Sequence, residues 1–194
     1  STDRGDHGNN SGGFYTIGTA SWRSGLSLTG SLRLQFHSVG SVNFLPQFSA
    51  AYNFKDWTLR TSVGRAVRNG DFTERFISSE IPNLTPLRNI GNPDLKPEES
   101  VTFDIGFDWN PTPLLSISPT FFIRSSDNLI DYSLTPSSAI PNADNLIDGE
   151  EYFYAQNIAN SETRGIEIMA GSQLFSIKSH SLRLNAGYTY IKTT

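Results

Sequence analysis

The chain has 194 residues, no cysteine, a net charge of −4, a charged share of 18 % and an aromatic share of 12 %. This is room for one ordinary domain or one large β unit. It excludes a disulfide scaffold and a thiolate metal site, and the acidic balance, without any basic cluster, gives no nucleic-acid partner.

Charge is sparser than the roughly 25 % of soluble domains. No apolar run reaches about 18 residues, so no helix crosses a membrane. Averaged hydropathy is mildly polar, which a β-barrel tolerates because its apolar residues alternate and the average hides them. The opening Ser1-Thr2, without methionine, fits an exported chain stripped of its leader or a piece of something longer.

The segment 1–12 reads as a polar loop. Asp3 and Asp6 stand near His7 there and are weak candidates for a hard cation, a solvated loop being the heavier reading. From residue 13 onward the period is two. Leu26, Leu28, Leu32, Leu34 and Phe36 oppose Ser27, Thr29, Ser31, Arg33 and Gln35. Trp57, Leu59 and Val63 oppose Thr58, Arg60 and Ser62, and further on Leu115, Ile117, Phe121 and Ile123 oppose Ser116, Ser118, Thr120 and Arg124. Leu182, Leu184, Ala186, Tyr188 and Tyr190 repeat the pattern near the end. Such alternation predicts eight strands, at 13–23, 26–37, 42–54, 56–67, 99–109, 113–132, 152–173 and 179–192. Most exceed the five or six residues usual in soluble proteins and reach the roughly nine to eleven that a tilted membrane-crossing strand needs.

The connections fall into two classes that alternate. Short ones occur at 24–25, 55–56, 110–113 and 175–179. Long polar ones occur at 1–12, 68–98 and 133–151, with one brief exception near 37–41. Up-and-down outer-membrane barrels sort their loops by rim in this way. Arg33, Arg60, Asp104, Asp108, Arg124, Glu167, Arg183 and Asn185 all fall on the polar side of the alternation. An arginine facing lipid at mid-depth would cost about 2–4 kcal/mol, so these are the candidate lumen-facing groups. Aromatics near strand ends, among them Trp22, Tyr52, Phe54, Trp57 and Trp109, suit interfacial belts.

The stretch "RNIGNPDLKPEESVTFDIGFDW" (88–109) begins as turn chemistry and ends as strict alternation, with Val101, Phe103, Ile105, Phe107 and Trp109 on one side. Asn92-Pro93 favours a turn, and Pro97 pushes Lys96 into an extended conformation. The chain therefore enters the strand with its register fixed, and a slip of one residue would turn Phe103 and Phe107 to the other face.

The segment from Gly91 through Asn92, Pro93, Asp94, Leu95, Lys96 and Pro97 to Glu98 resembles the hallmark loop-to-strand segment of TonB-dependent outer-membrane receptors. "WTLRTSVGRAVRNGDFTERF" (57–76) is similar to that family's preceding strand and loop, with Val67 where an Arg-Ala-Pro element would carry proline. "SISPTFFIRSSDNLIDY" (116–132), "YAQNIANSETRGIEIMAGSQL" (154–174) and "LRLNAGYTYIKT" resemble its next strands, in the same order.

The resemblance implies an all-β, antiparallel, up-and-down transmembrane barrel segment of about eight strands, from a barrel of roughly 22. Residues 1–194 would be part of the receptor barrel domain, without its plug or its final strands. It also implies an outer-membrane location in a Gram-negative bacterium, and import of a scarce nutrient such as an iron-siderophore, haem or cobalamin. The implied partners are outer-membrane lipid, the remainder of the receptor, the ligand and the inner-membrane TonB complex acting through the plug. No enzyme activity and no cofactor are called for. Two other readings stay open: a complete eight-stranded barrel acting as an adhesin or structural protein, and a soluble β-sandwich binding module.

Overall fold

A computed structural model describes residues 8, 10–37, 42–141, 144–177 and 180–194. Asp3 and Asp6 lie outside the described residues. The chain forms one sheet from the strands β1 (Ser11–Ser21), β2 (Leu26–His37), β3 (Val42–Phe54), β4 (Trp57–Arg68), β5 (Asn89–Ile90), β6 (Glu98–Thr112), β7 (Leu115–Pro136), β8 (Glu151–Ile177) and β9 (His180–Thr193). A one-and-a-half-turn helix, α1 (Phe72–Phe76), and a 3-10 turn (Ser137–Ala139) sit in the connections.

The eight long strands follow one another as antiparallel neighbours, as expected for a meander. The ninth, β5, was not foreseen. It adds two residues in parallel to the start of β8, pairing Asn89 with Phe153 and Ile90 with Tyr154. β1 begins and ends two residues earlier than the alternation suggests, which leaves Trp22 in the turn. β7 and β8 run further toward their shared loop than expected. Register shifts between Ser126 and Ile130 mark bulges there, and a bulge breaks the period-two pattern that carries the signal.

The connections sort by rim. Residues 22–25, 55–56 and 113–114 turn at one end; 69–97, and 137–141 with 144–150, connect at the other. Tightness has local causes. Gly25 has φ +94°, and a Cβ there would run into the Asn53 carbonyl, so only glycine fits.

The hydrophobic core does not lie under the sheet. Phe103 is 39 % exposed, Phe107 38 %, Leu184 60 % and Tyr188 62 %. A soluble sandwich would bury them against a second layer, so that reading fails. Among the described residues β1 and β9 pair only with β2 and β8, leaving the sheet unclosed, which disagrees with a complete eight-stranded barrel. What is buried sits between the two long connections: Leu84, Ile90, Ile140, Tyr152 and Tyr154, with Ile81 and Leu146 packed against them.

Candidate functional site

Register assigns the two faces. Arg33 lies opposite Leu45, and Arg60 opposite both Ala51 and Gly106. Asp104 faces Ser62 and Phe122, Asp108 faces Thr58, and Arg124 faces Thr102 and Thr163. Glu167 faces Thr120 and Thr189, Arg183 faces Gln173, and Asn185 faces Gly171. Directly opposed residues share a face, so all eight candidates stand on one polar face. The other carries Phe48, Leu59, Val63, Phe103, Ile105, Phe107, Phe121, Ile166, Ile168 and Tyr188.

The polar face is cross-linked. Arg60 Nε donates to Asp108 at 3.0 Å, and its Nη2 donates to Thr120 Oγ1 at 2.7 Å. Its guanidinium crosses over Gly106, where a Cβ would collide with it. Ser62 Oγ donates to Asp104, and Arg124 Nε donates to Thr102 Oγ1 at 3.2 Å. Phe122 is an apolar exception on this face, and its ring fills the space over Gly165. At the short-turn rim of the apolar face, Trp57 gathers Tyr52, Phe54 and Phe107, with ring centroids 6.1, 5.3 and 5.8 Å away.

The hallmark segment is the frame of the opposite rim. Arg68, at the end of β4, forks onto Glu98 with two bonds of 2.6 Å, and onto Glu74 at 2.9 and 3.0 Å. Glu98 also accepts the Ile130 N–H at 2.9 Å. This corner lies beyond the apolar stretch 101–109, and the Arg68 bond holds the Glu98 carboxyl below its ordinary value, against the opposing effect of burial. Asp71 and Glu74 close a reciprocal capping box on α1, each side chain accepting the other's backbone N–H at 2.8 Å.

Arg75 is buried, and its guanidinium donates to the carbonyls of Gly70, Pro93 and Leu95. Burial lowers its pKa from the usual arginine value, while Asp94 and Glu74 favour its charge. Gly91 brings its N–H to the Ile77 carbonyl at 2.9 Å, and a Cβ there would strike the Arg75 and Phe76 backbone. Asn92 accepts from the Asp94 N–H at 2.9 Å and donates to the Ala155 carbonyl at 3.0 Å. Asn157 holds Lys96 by both its N–H and its carbonyl, at 2.9 Å each, and donates to the Asn128 carbonyl at 2.7 Å. Asn128 itself sits at φ 57°, a left-handed position that asparagine tolerates. Leu95 is buried, and Pro97 delivers the chain extended into β6.

The two long connections then interlock. Tyr152 is fully buried; its hydroxyl donates to the Leu84 carbonyl at 2.8 Å and accepts the Ile147 N–H at 3.0 Å. Asn145 donates to the carbonyls of Ser78 and Ile81, both at 2.9 Å. Sequence reasoning singled out Gly91–Glu98 but not Arg75, Asn145 or Tyr152, which hold that segment and its neighbour in place. One local signal was available: Asp71 followed at three residues by Glu74 is a helix-start signature. Among the described residues no group of three His, Cys, Asp or Glu side chains could hold a metal.

The family described as TonB dependent receptor-like, beta-barrel, matches residues 1–194. No curated protein matches the chain. Among solved structures, the siderophore receptor PirA from Pseudomonas aeruginosa aligns with a TM-score of 0.72 at 21 % identity, covering 95 % of this chain and 32 % of that one. The FrpB iron transporter from Neisseria meningitidis aligns at 0.64 and 18 %, covering 95 % and 26 %. The copper transporter OprC aligns at 0.63 and 19 %, covering 95 % and 29 %. The chain thus spans about a third or less of the length of these structures, and their likeness speaks for the fold. With the family matched over its whole length, the chain belongs to the TonB-dependent receptor-like β-barrels.

Proposed function

We propose that residues 1–194 are an internal stretch of the barrel wall of an outer-membrane receptor that imports a scarce metal chelate by energy-coupled active transport. An iron-siderophore is the leading ligand class, ahead of haem and cobalamin. The observation that carries this reading is the division of the sheet. Large apolar side chains stay exposed on one face, while Arg60, Asp108, Thr120, Ser62 and Asp104 bond to one another on the other. In a bilayer the first face meets lipid and the second lines a wet lumen. The short-turn rim then lies on the periplasmic side and the interlocked connections 69–97 and 137–150 on the cell surface.

The names of structural neighbours, a siderophore receptor, an iron transporter and a copper transporter, support metal import as the class of task. Transport makes and breaks no covalent bond, so no catalytic group is assigned. The plug, the rest of the barrel and the inner-membrane TonB complex are the partners this reading requires. The test is uptake of radiolabelled iron chelates by iron-starved cells with and without the gene. Uptake that disappears with the gene, and disappears likewise when the membrane energy supply is removed, is the expected result. Unchanged uptake of every chelate offered would overturn it.

A further inference from the structure

Resting on the placement of the apolar face in lipid and of the short-turn rim in the periplasm, but on no transported ligand, we infer that this rim seats the phosphate of an anionic phospholipid from the periplasmic leaflet. Arg23 and Lys55 supply the charge, and the ring cluster around Trp57 carries the top of the acyl chains.

The site begins with two turns. Trp22–Gly25 closes through a bond from the Gly25 N–H to the Trp22 carbonyl at 3.0 Å, which puts Arg23 and Ser24 at its tip. Lys55 and Asp56 form the two-residue turn between β3 and β4, where Phe54 pairs with Trp57. The Asn53 N–H donates to the Gly25 carbonyl at 2.9 Å, one step beyond the Leu26–Tyr52 pair. The two turns are therefore neighbours along the rim, and Arg23 and Lys55 are both exposed on it. Neither makes an ion pair among the described residues. Asp56 is the one carboxylate of the two turns and bonds to neither cation, so the corner keeps a net positive charge.

Lysine is an unusual choice at position 55. Its φ is +50°, a left-handed value that hairpin turns ordinarily give to Gly, Asn or Asp. Glycine would fit that conformation with less strain, so the turn alone does not account for the lysine. The side chain folds back on the strand instead: Nζ lies 5.3 Å from the centre of the Phe54 ring, a cation–π contact. Phe54 stands on the apolar face against Trp57, and both Phe54 and Trp109, opposite Trp57, stay exposed there. The ammonium is thus held at the edge of the surface that meets lipid, at the depth where aromatic rings mark the headgroup boundary. An anionic headgroup at this corner meets two cations while its chains continue down the apolar face. The opposite rim of β4 differs: Arg65, also on the outward face, meets Glu99 at 2.7 Å and is already neutralised.

The test uses the complete receptor in nanodiscs of phosphatidylcholine, with a fluorophore on Ser24→Cys or, in a second preparation, on Val67→Cys, opposite Glu99. Phosphatidylglycerol or phosphatidylcholine, each carrying a nitroxide high on one acyl chain, is added at the same mole fraction, and quenching is compared. At position 24 the anionic lipid should quench about tenfold more effectively. At position 67 the two lipids should be equal. Lys55→Gln and Arg23→Gln should each lower the preference at 24 several-fold, a basic residue beside an anionic lipid being worth about fivefold. The double variant should abolish it, and Lys55→Arg should keep it. Lys55→Gly should lose preference as Lys55→Gln does while melting no lower than the wild type, which separates lipid binding from turn formation. Equal quenching by both lipids at 24, a preference that survives the double variant, or an equal preference at 67 overturns the site and leaves the wall and its import intact. No quenching by either lipid at both positions overturns the placement of the apolar face in lipid, and this site with it.

Discussion

Two regions of this molecule solve burial in opposite ways. The wall, exemplified by β4 and β6, is joined by a continuous register from Trp57–Trp109 to Arg68–Glu98, yet leaves Phe103, Ile105 and Phe107 uncovered. The cap made of 69–97 and 137–150 is read from sequence as polar loop, yet it contains the buried cluster around Tyr152. The wall therefore draws its apolar stabilisation from whatever surrounds it. The cap carries its own and stands as a preformed unit on the rim.

The contrast can be broken from either side. Tyr152→Ala removes a fully buried ring and strands the Leu84 carbonyl and the Ile147 N–H. A loss of about 3–5 kcal/mol of local stability is expected. Hydrogen exchange should speed up across 78–95 and 137–150 in the complete receptor, while amides of 101–109 keep their protection. Next comes the wall: Ile105→Arg places a charge on the apolar face and should cost about 2–4 kcal/mol when refolding into lipid is titrated, with the cap's exchange unchanged.

Arg75→Met keeps the stem but leaves the carbonyls of Gly70, Pro93 and Leu95 without their donor. About 1–3 kcal/mol should be lost, read as faster exchange confined to 70–96. Asn157→Ala frees Lys96 and Asn128 and should cost roughly 1 kcal/mol, seen as faster exchange at the entry to β6.

The smallest effect is a pH dependence at the Arg68–Glu98 corner. The folded value of Glu98 lies below its ordinary 4.5. Its contribution is therefore complete above that ordinary value and is lost as pH falls through the lowered one. Exchange of the Ile130 amide, bonded to Glu98, should rise only in that acid window, and Glu98→Gln should abolish the dependence.

The wall was legible because its signal is local. Leu26 to Phe36 alternate with only Gly30 out of step, and β2 and β3 fall at 26–37 and 42–54 as expected. The strand ends at 127–136 and 151–160 were less legible, since the bulges near Asn128 shift the period. Turn chemistry at Asn92-Pro93 and Pro97 was readable, but not what grips it. Asn92 reaches Ala155, Asn157 reaches Lys96 and Tyr152 reaches Leu84, each more than sixty residues away. No pattern in a single sequence pairs such partners. The grouping of eight polar candidates on one face needed only parity.

The most direct test of the divided sheet places nitroxide labels one at a time at Phe103→Cys, Asp104→Cys, Phe107→Cys and Asp108→Cys in the complete receptor in bilayers. Collision with oxygen, which concentrates in lipid, should dominate at 103 and 107. Collision with a water-soluble nickel chelate should dominate at 104 and 108. Oxygen contact favouring 104 and 108, or no alternation along the strand, would contradict the account.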